Sequence, residues 1–164
     1  MRVSVLAFGK LKTAGLREAA NYYARLLKPW VTFQEIELKP LPVSEKSAAV
    51  RARIQGEETD FLLKRISTQC GGTSAIYLLD ERGRARPTSA WAQDVRDWEA
   101  TGPTELVFCI GSSLGFGDEI RARARDLLSF GPQTLSHELA RVVLLEQLFR
   151  AWSVTRGHPY HNES

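Results

Sequence analysis

A chain of 164 residues, 43% hydrophobic and 25% charged with a net charge of +3, suffices for one domain with a real core and is too mixed for a fibrous or disordered protein. The mild positive excess agrees with an RNA partner without demanding one, and Cys70 and Cys109 lie far apart in no metal-type spacing, which reads as a reduced pair. The first apolar run ends at Gly9-Lys10, too short for a secretion signal, and no stretch approaches a membrane span, so a cytoplasmic protein with a single domain over residues 1–164 is expected.

Val3 to Phe8 is a short β-branched run closed by Gly9 and reads as a buried strand; a basic loop, Gly9-Lys10-Leu11-Lys12-Thr13, follows it. Leu16, Ala19, Ala20, Tyr23, Leu26 and Leu27 recur at helical spacing. Val31 to Leu38 alternates as a second strand and is closed by Pro40 and Pro42. Ser44 to about Ile66 is a charged amphipathic helix, weakened by Gly56. Ala75 to Leu79 is a continuous apolar strand, and Asp80-Glu81-Arg82-Gly83-Arg84 should turn the chain. Ser89 to Trp98 is a helix stopped by Gly102-Pro103. Leu106 to Ile110 is another apolar strand, broken by the glycine-rich run from Gly111 to Gly117. Asp118 to Leu128 then reads as a helix. Strands that alternate with helices, two of them apolar throughout, mark a mostly parallel α/β sheet with helices on both faces.

The last helix is the most apolar of all. From Ser136 to about Thr155 the chain has neither Gly nor Pro, with Ser136 as a capping residue, Glu138 in the first turn and Glu146–Arg150 spaced i, i+4. Its apolar positions cover most sides, which implies burial on most sides. Either it is the central helix of a monomer, or a second copy covers its outer side; a homodimer through this helix, with Leu148 in the contact, is expected.

In open α/β sheets, ligands bind beyond the carboxyl ends of the strands. Three loops leave such ends: after Leu79, after Ile110, and Phe130-Gly131-Pro132-Gln133-Thr134-Leu135. Either these are ordinary turns, or their main-chain groups read an adenosine edge. The glycines at 111, 115 and 117 are not a dinucleotide fingerprint, and no phosphate loop is present. His158 and His161, with His137 in reach, lack acidic or cysteine ligands at metal spacing, so no metal is expected. The tail from Gly157 to Ser164 reads as a substrate-contacting arm or as a frayed end, with Tyr160 suited to stacking on a base and His161 to a base edge or phosphate.

These residues carry a resemblance. Val5 to Lys12, Tyr77-Leu78-Leu79-Asp80 with Gly83, Phe108 to Gly111 with Gly115, Leu135 to Val142, Glu146 to Trp152, and His158-Pro159-Tyr160-His161 together resemble the RlmH family, the ribosomal large-subunit pseudouridine N3-methyltransferases of the SPOUT class. The resemblance runs nearly end to end, and its C-terminal block is the specific part. It implies a C-terminal trefoil knot, a homodimer, S-adenosylmethionine as methyl donor, and a pseudouridine of 23S rRNA (the helix 69 loop of the assembled ribosome) as acceptor. Carried over by position, Leu79, Gly111 and the six residues Phe130, Gly131, Pro132, Gln133, Thr134 and Leu135 would hold the cofactor. Lys10, Lys12, Arg141, Arg156, His158, Tyr160 and His161 would face RNA, with Tyr160 and His161 nearest the chemistry. Two positions depart from the family pattern: Ser112 stands where a second Gly is usual, and Asn162 where a basic residue is usual. They motivate an alternative, a non-catalytic ribosome- or RNA-binding module that keeps the fold.

Overall fold

The computed structural model describes residues 1–44, 46–71 and 73–160. Ten elements follow one another: β1 (Arg2–Phe8), α1 (Ala14–Leu27), β2 (Thr32–Leu38), α2 (Ala48–Gln69), β3 (Ser74–Ala85), α3 (Thr88–Thr101), β4 (Glu105–Ile110), α4 (Asp118–Arg123), β5 (Asp126–Ser129) and α5 (His137–Thr155). The five strands form one sheet in the order β2-β1-β4-β3-β5, and every pairing is parallel. The expected α/β architecture holds, and so does its physical signature: β4 is buried along its whole length and β1 everywhere but Arg2.

Helices cover both faces. On one, Ala20 and Leu27 of α1, Trp91, Val95 and Trp98 of α3, and most of α5 pack on Val3, Val5, Ala7, Tyr77, Leu106 and Phe108. On the other, Leu62 and Ile66 of α2 and Ile120 of α4 pack on Leu6, Phe8, Leu78, Val107 and Cys109. The alternation of side chains along β1 (Val3, Val5 and Ala7 to one core, Leu6 and Phe8 to the other) divides the two cores. α5 lies in the middle of its layer, flanked by α1 and α3 and resting on β1 and β4. Its start is as expected: the Ser136 side chain accepts from the Leu139 N–H.

Three expectations need correction. The span 118–128 is not one helix. Ala124 turns extended, the Arg125 N–H donates to the Ile76 carbonyl at 2.7 Å, and 126–129 join the sheet edge as β5. A free edge beside β3 offers backbone partners that outweigh the helical propensity of Arg-Asp-Leu-Leu. The chain also does not leave the sheet at Asp80. β3 continues to Ala85 over an irregularity, since Leu79 and Arg84 both face Leu128. The turn-forming residues mark a bulge rather than a reversal. Third, α2 begins later than Ser44, at Ala48, with the Ser47 hydroxyl as its cap, and runs on to Gln69.

Candidate functional site

The register assembles the carboxyl edge of the sheet. Ala7 and Leu79 flank Ile110 on either side, so the residues that follow β1 and β4, Gly9 and Gly111, come out beside the midpoint of β3. Leu79, Phe130 and Leu135 all pack against the same core, the one beneath α5, and the Phe130 ring stacks on Trp91 of α3 at 6.4 Å. The structure therefore brings together, around one end of the sheet, all three segments that the sequence picked out for a cofactor.

The loop 130–135 has the character of a reading frame for a ligand. Gly131 adopts φ +113°, and the Ser129 hydroxyl ties both its N–H (3.1 Å) and its carbonyl (2.9 Å). Beyond that pin, Pro132 to Thr134 are exposed, and among the described residues the main-chain groups of Gln133, Thr134 and Leu135 have no hydrogen-bond partner. A loop whose amides and carbonyls are free, beside apolar Leu79, Phe130 and Leu135, suits the edge and ring of a nucleoside. Gly111 leaves little room of its own: a Cβ there would stand 3.3 Å from the Gly115 Cα.

The basic loop after β1 is fixed to the start of α5. Glu138 accepts from the N–H groups of Lys12 and Thr13 and from the Thr13 hydroxyl (2.8 Å). The Leu11 N–H donates to Glu37 at 2.9 Å. The His137 ring lies so close to Gly9 that a Cβ there would fall 2.6 Å from it, and Gly9 has φ +96°. Only glycine allows that approach. The loop is thus held by its backbone, and the side chains of Lys10 and Lys12 stay exposed, free of any ion pair among the described residues.

Arg141 does not belong with them. Its side chain has no exposed surface; it donates to Glu35 (2.6 Å), Glu37 (2.8 Å) and the Gly9 carbonyl (2.9 Å). The expectation that it meets RNA is corrected: it is an internal tie between α5, β2 and the β1 loop. Arg156 is also engaged, bonding Glu99 of α3 at 2.5 and 3.1 Å, although it stays partly exposed. Leu148 is fully buried within the single chain, so the expected interface cannot run through it. The outer ridge of α5 instead carries the exposed Leu139 and the half-buried Val143, Glu146 and Arg150.

Residues 158–160 fold back along α5. His158 packs edge-on to Trp30 and Phe149, and the Tyr160 ring meets Phe149 at 4.6 Å with the Arg150 guanidinium 4.8 Å over it. The Tyr160 hydroxyl donates to Glu146 at 3.1 Å and lies 3.4 Å from the Tyr23 hydroxyl. Burial, Tyr23 and the Glu146 carboxylate push its phenol well above the ordinary range. Glu146 lies nine residues past His137, about 13 Å along a helix axis, so the Tyr160 hydroxyl stands well away from the start of α5, where Leu135 ends the loop. His161 lies outside the described residues, as does Asn162.

Neither thiol is activated. Cys109 is fully buried, which pushes it up, and burial with the nearby Glu105 charge pushes Cys70 up to about 11. Sequence reasoning placed Glu138 only at the start of the last helix and missed its tie to the β1 loop, and it missed Glu37 and Glu58 altogether; a carboxylate's backbone partner leaves no mark in a linear pattern.

The geometry defines a class first: a parallel α/β protein with three loops gathered at the carboxyl edge of its sheet. The family described as "Predicted SPOUT methyltransferase" matches residues 1–161. Over 98% of the chain it is 36% identical to the "Ribosomal RNA large subunit methyltransferase H" of Cupriavidus pinatubonensis and 35% to that of Paramagnetospirillum magneticum, covering 99% of each. It is also 32% identical to a "Putative RNA methyltransferase" of Arabidopsis thaliana, covering 79% of it. This chain belongs to the SPOUT methyltransferase family.

Proposed function

We propose that the chain methylates N3 of a pseudouridine in 23S rRNA, in the helix 69 loop of the assembled ribosome, with S-adenosylmethionine as donor. The observation that carries this reading is the meeting of Leu79, Gly111 and the unpartnered main chain of 133–135 at one edge of the sheet, in a member of this family. The donor set fits the group: neutral main chain for an adenine edge and apolar side chains for its ring.

When bound, the cofactor supplies an electrophilic methyl on a sulfonium whose positive charge disperses as the methyl moves. Leu79, Phe130 and Leu135 would keep water out and the loop 130–135 would hold the donor, so that alignment and a dry site would lower the barrier. Lys10 and Lys12, rigidly based, would meet phosphates. The N3 proton must leave the acceptor. Tyr160 donates its one hydroxyl proton to Glu146 and is not proposed to take that proton; His161 remains the proposed proton acceptor or base-edge contact.

The working unit is a homodimer formed through the outer ridge of α5. The separation of Tyr160 from the start of α5 supports a site in which one copy's tail approaches the other's cofactor cradle. The connection from β5 to α5 is read as the threaded segment of a trefoil knot, and the chain as working in the cytoplasm; among the described residues no helix can cross a membrane.

Calorimetric titration with S-adenosylmethionine, followed by mass analysis of 23S rRNA from cells lacking the protein, tests this. Binding together with loss of one methyl on a pseudouridine is expected. Binding of rRNA without any cofactor heat, by folded protein, would favour the non-catalytic module instead.

A further inference from the structure

One buried carboxylate has no part in the fold's ion pairs. Glu58 of α2 is 3% exposed, and no cation pairs with it among the described residues. Its two oxygens have separate duties: Oε1 accepts the Leu41 N–H at 2.9 Å, and Oε2 accepts the Ser112 hydroxyl at 2.5 Å. Ser112 Oγ in turn accepts the Leu114 N–H at 3.2 Å, and Gln55, one turn earlier on α2, donates to the Leu114 carbonyl at 2.7 Å. Thr59, beside Glu58, is buried against Gly117, where a built Cβ would stand 2.8 Å from its Oγ1. Three consecutive contacts from one helix ridge therefore define the turn from Gly111 to Gly117.

Desolvating a carboxylate with only neutral donors is unfavourable for the fold by itself, and an apolar residue would pack there at lower cost. What the carboxylate does specify is the direction of the Ser112 hydroxyl and, through it, the peptide of the adjoining Gly111. Ser112 is one of the two positions at which the resemblance marks a departure from the family pattern. Its side chain points at α2, so it narrows nothing; it gives the turn an anchor that glycine lacks. We propose that Glu58 and Ser112 act as a positioning pair that sets Gly111 for the cofactor. The inference rests on the cofactor reading above and names residues that reading does not use.

The test is calorimetric titration with S-adenosylmethionine of the wild-type protein, Ser112→Ala, Ser112→Thr, Glu58→Gln and the Ser112→Ala/Glu58→Gln double variant, each checked for folding by circular dichroism. A lost hydrogen bond to a buried charge corresponds to about tenfold in affinity, so Ser112→Ala and Glu58→Gln should each weaken binding by about that factor. The double variant should be no weaker than the worse single one, because both remove the same link. Ser112→Thr, which keeps the hydroxyl, should restore binding. In turnover with rRNA, the KM for the cofactor should rise while kcat at saturation holds, a split that mere loss of stability would not produce. Single variants that bind like the wild type, losses that multiply in the double variant, or Ser112→Thr as weak as Ser112→Ala would each overturn the pair. If Glu58→Gln does not fold, the Ser112 variants decide alone. A wild type that gives no heat overturns the cofactor reading itself, and the inference with it; wild-type binding with unaffected variants overturns the inference only.

Discussion

Arg141 carries a full charge with no exposed surface, and it is held there by Glu35, Glu37 and the carbonyl of Gly9. Arg17 of α1 joins the same carboxylates at 3.1 and 2.6 Å. The group is a small ionic core that fastens the first loop to the last helix. Burial alone would raise the Glu37 carboxyl, but the Leu11 N–H and the charges of Arg141 and Arg17 outweigh it and hold it below the ordinary range. A depressed folded value means that the unfolded chain binds the proton more readily. The stabilisation is thus present in full above roughly pH 5 and disappears as pH falls through the folded value. Thermal melts from pH 7 down to pH 3 should show the wild type losing stability across that acid range. Glu37→Gln should start lower at pH 7 and fall less steeply; parallel curves would mean that the carboxylate does no such work. At this scale Lys10 and Lys12 were legible, because a basic run between a strand and a helix has to be a loop. Arg141 was not, since its neighbours Ala140 and Val142 fit either a buried or a surface reading.

Among elements, α5 was the easiest to read and still held a surprise. Its cap, its extent and its burial followed from composition, but what covers it did not. The sheet, α1 and α3 enclose Leu144, Leu145, Leu148 and Trp152 within one chain. Leu148→Ala should then cost about 2–5 kcal/mol in denaturant unfolding, and Leu148→Glu should leave no folded subunit at any concentration. A Leu148→Glu protein that persists as a folded monomer would show that the side chain belongs to an interface after all. The edge element β5 was hidden because Leu127-Leu128 is only an apolar pair, and four residues are too few to show a period. Its identity depends on the open side of β3, a partner well over forty residues earlier in the chain.

For the molecule as a whole, the consequential feature under the proposed function is the separation of Tyr160 from the start of α5. Leu139→Lys on the outer ridge should yield a folded monomer by light scattering that still gives heat with S-adenosylmethionine but methylates poorly. Removing residues 158–164 should likewise spare cofactor binding and abolish methylation; full activity in the truncated protein would remove the tail from the site. The sequence by itself determined the parallel α/β class, the loops at the strand ends, the family and the capped apolar helix, because each depends on residues near one another along the chain: periodicity, turn formers, a contiguous motif. Only the tertiary structure decided that Arg141 faces inward, that 126–129 pair as a strand, and that Glu58 reaches Ser112. Each of those outcomes is set by a neighbour tens of residues away, and burial, free backbone edges and unpaired charge act across space rather than along the chain.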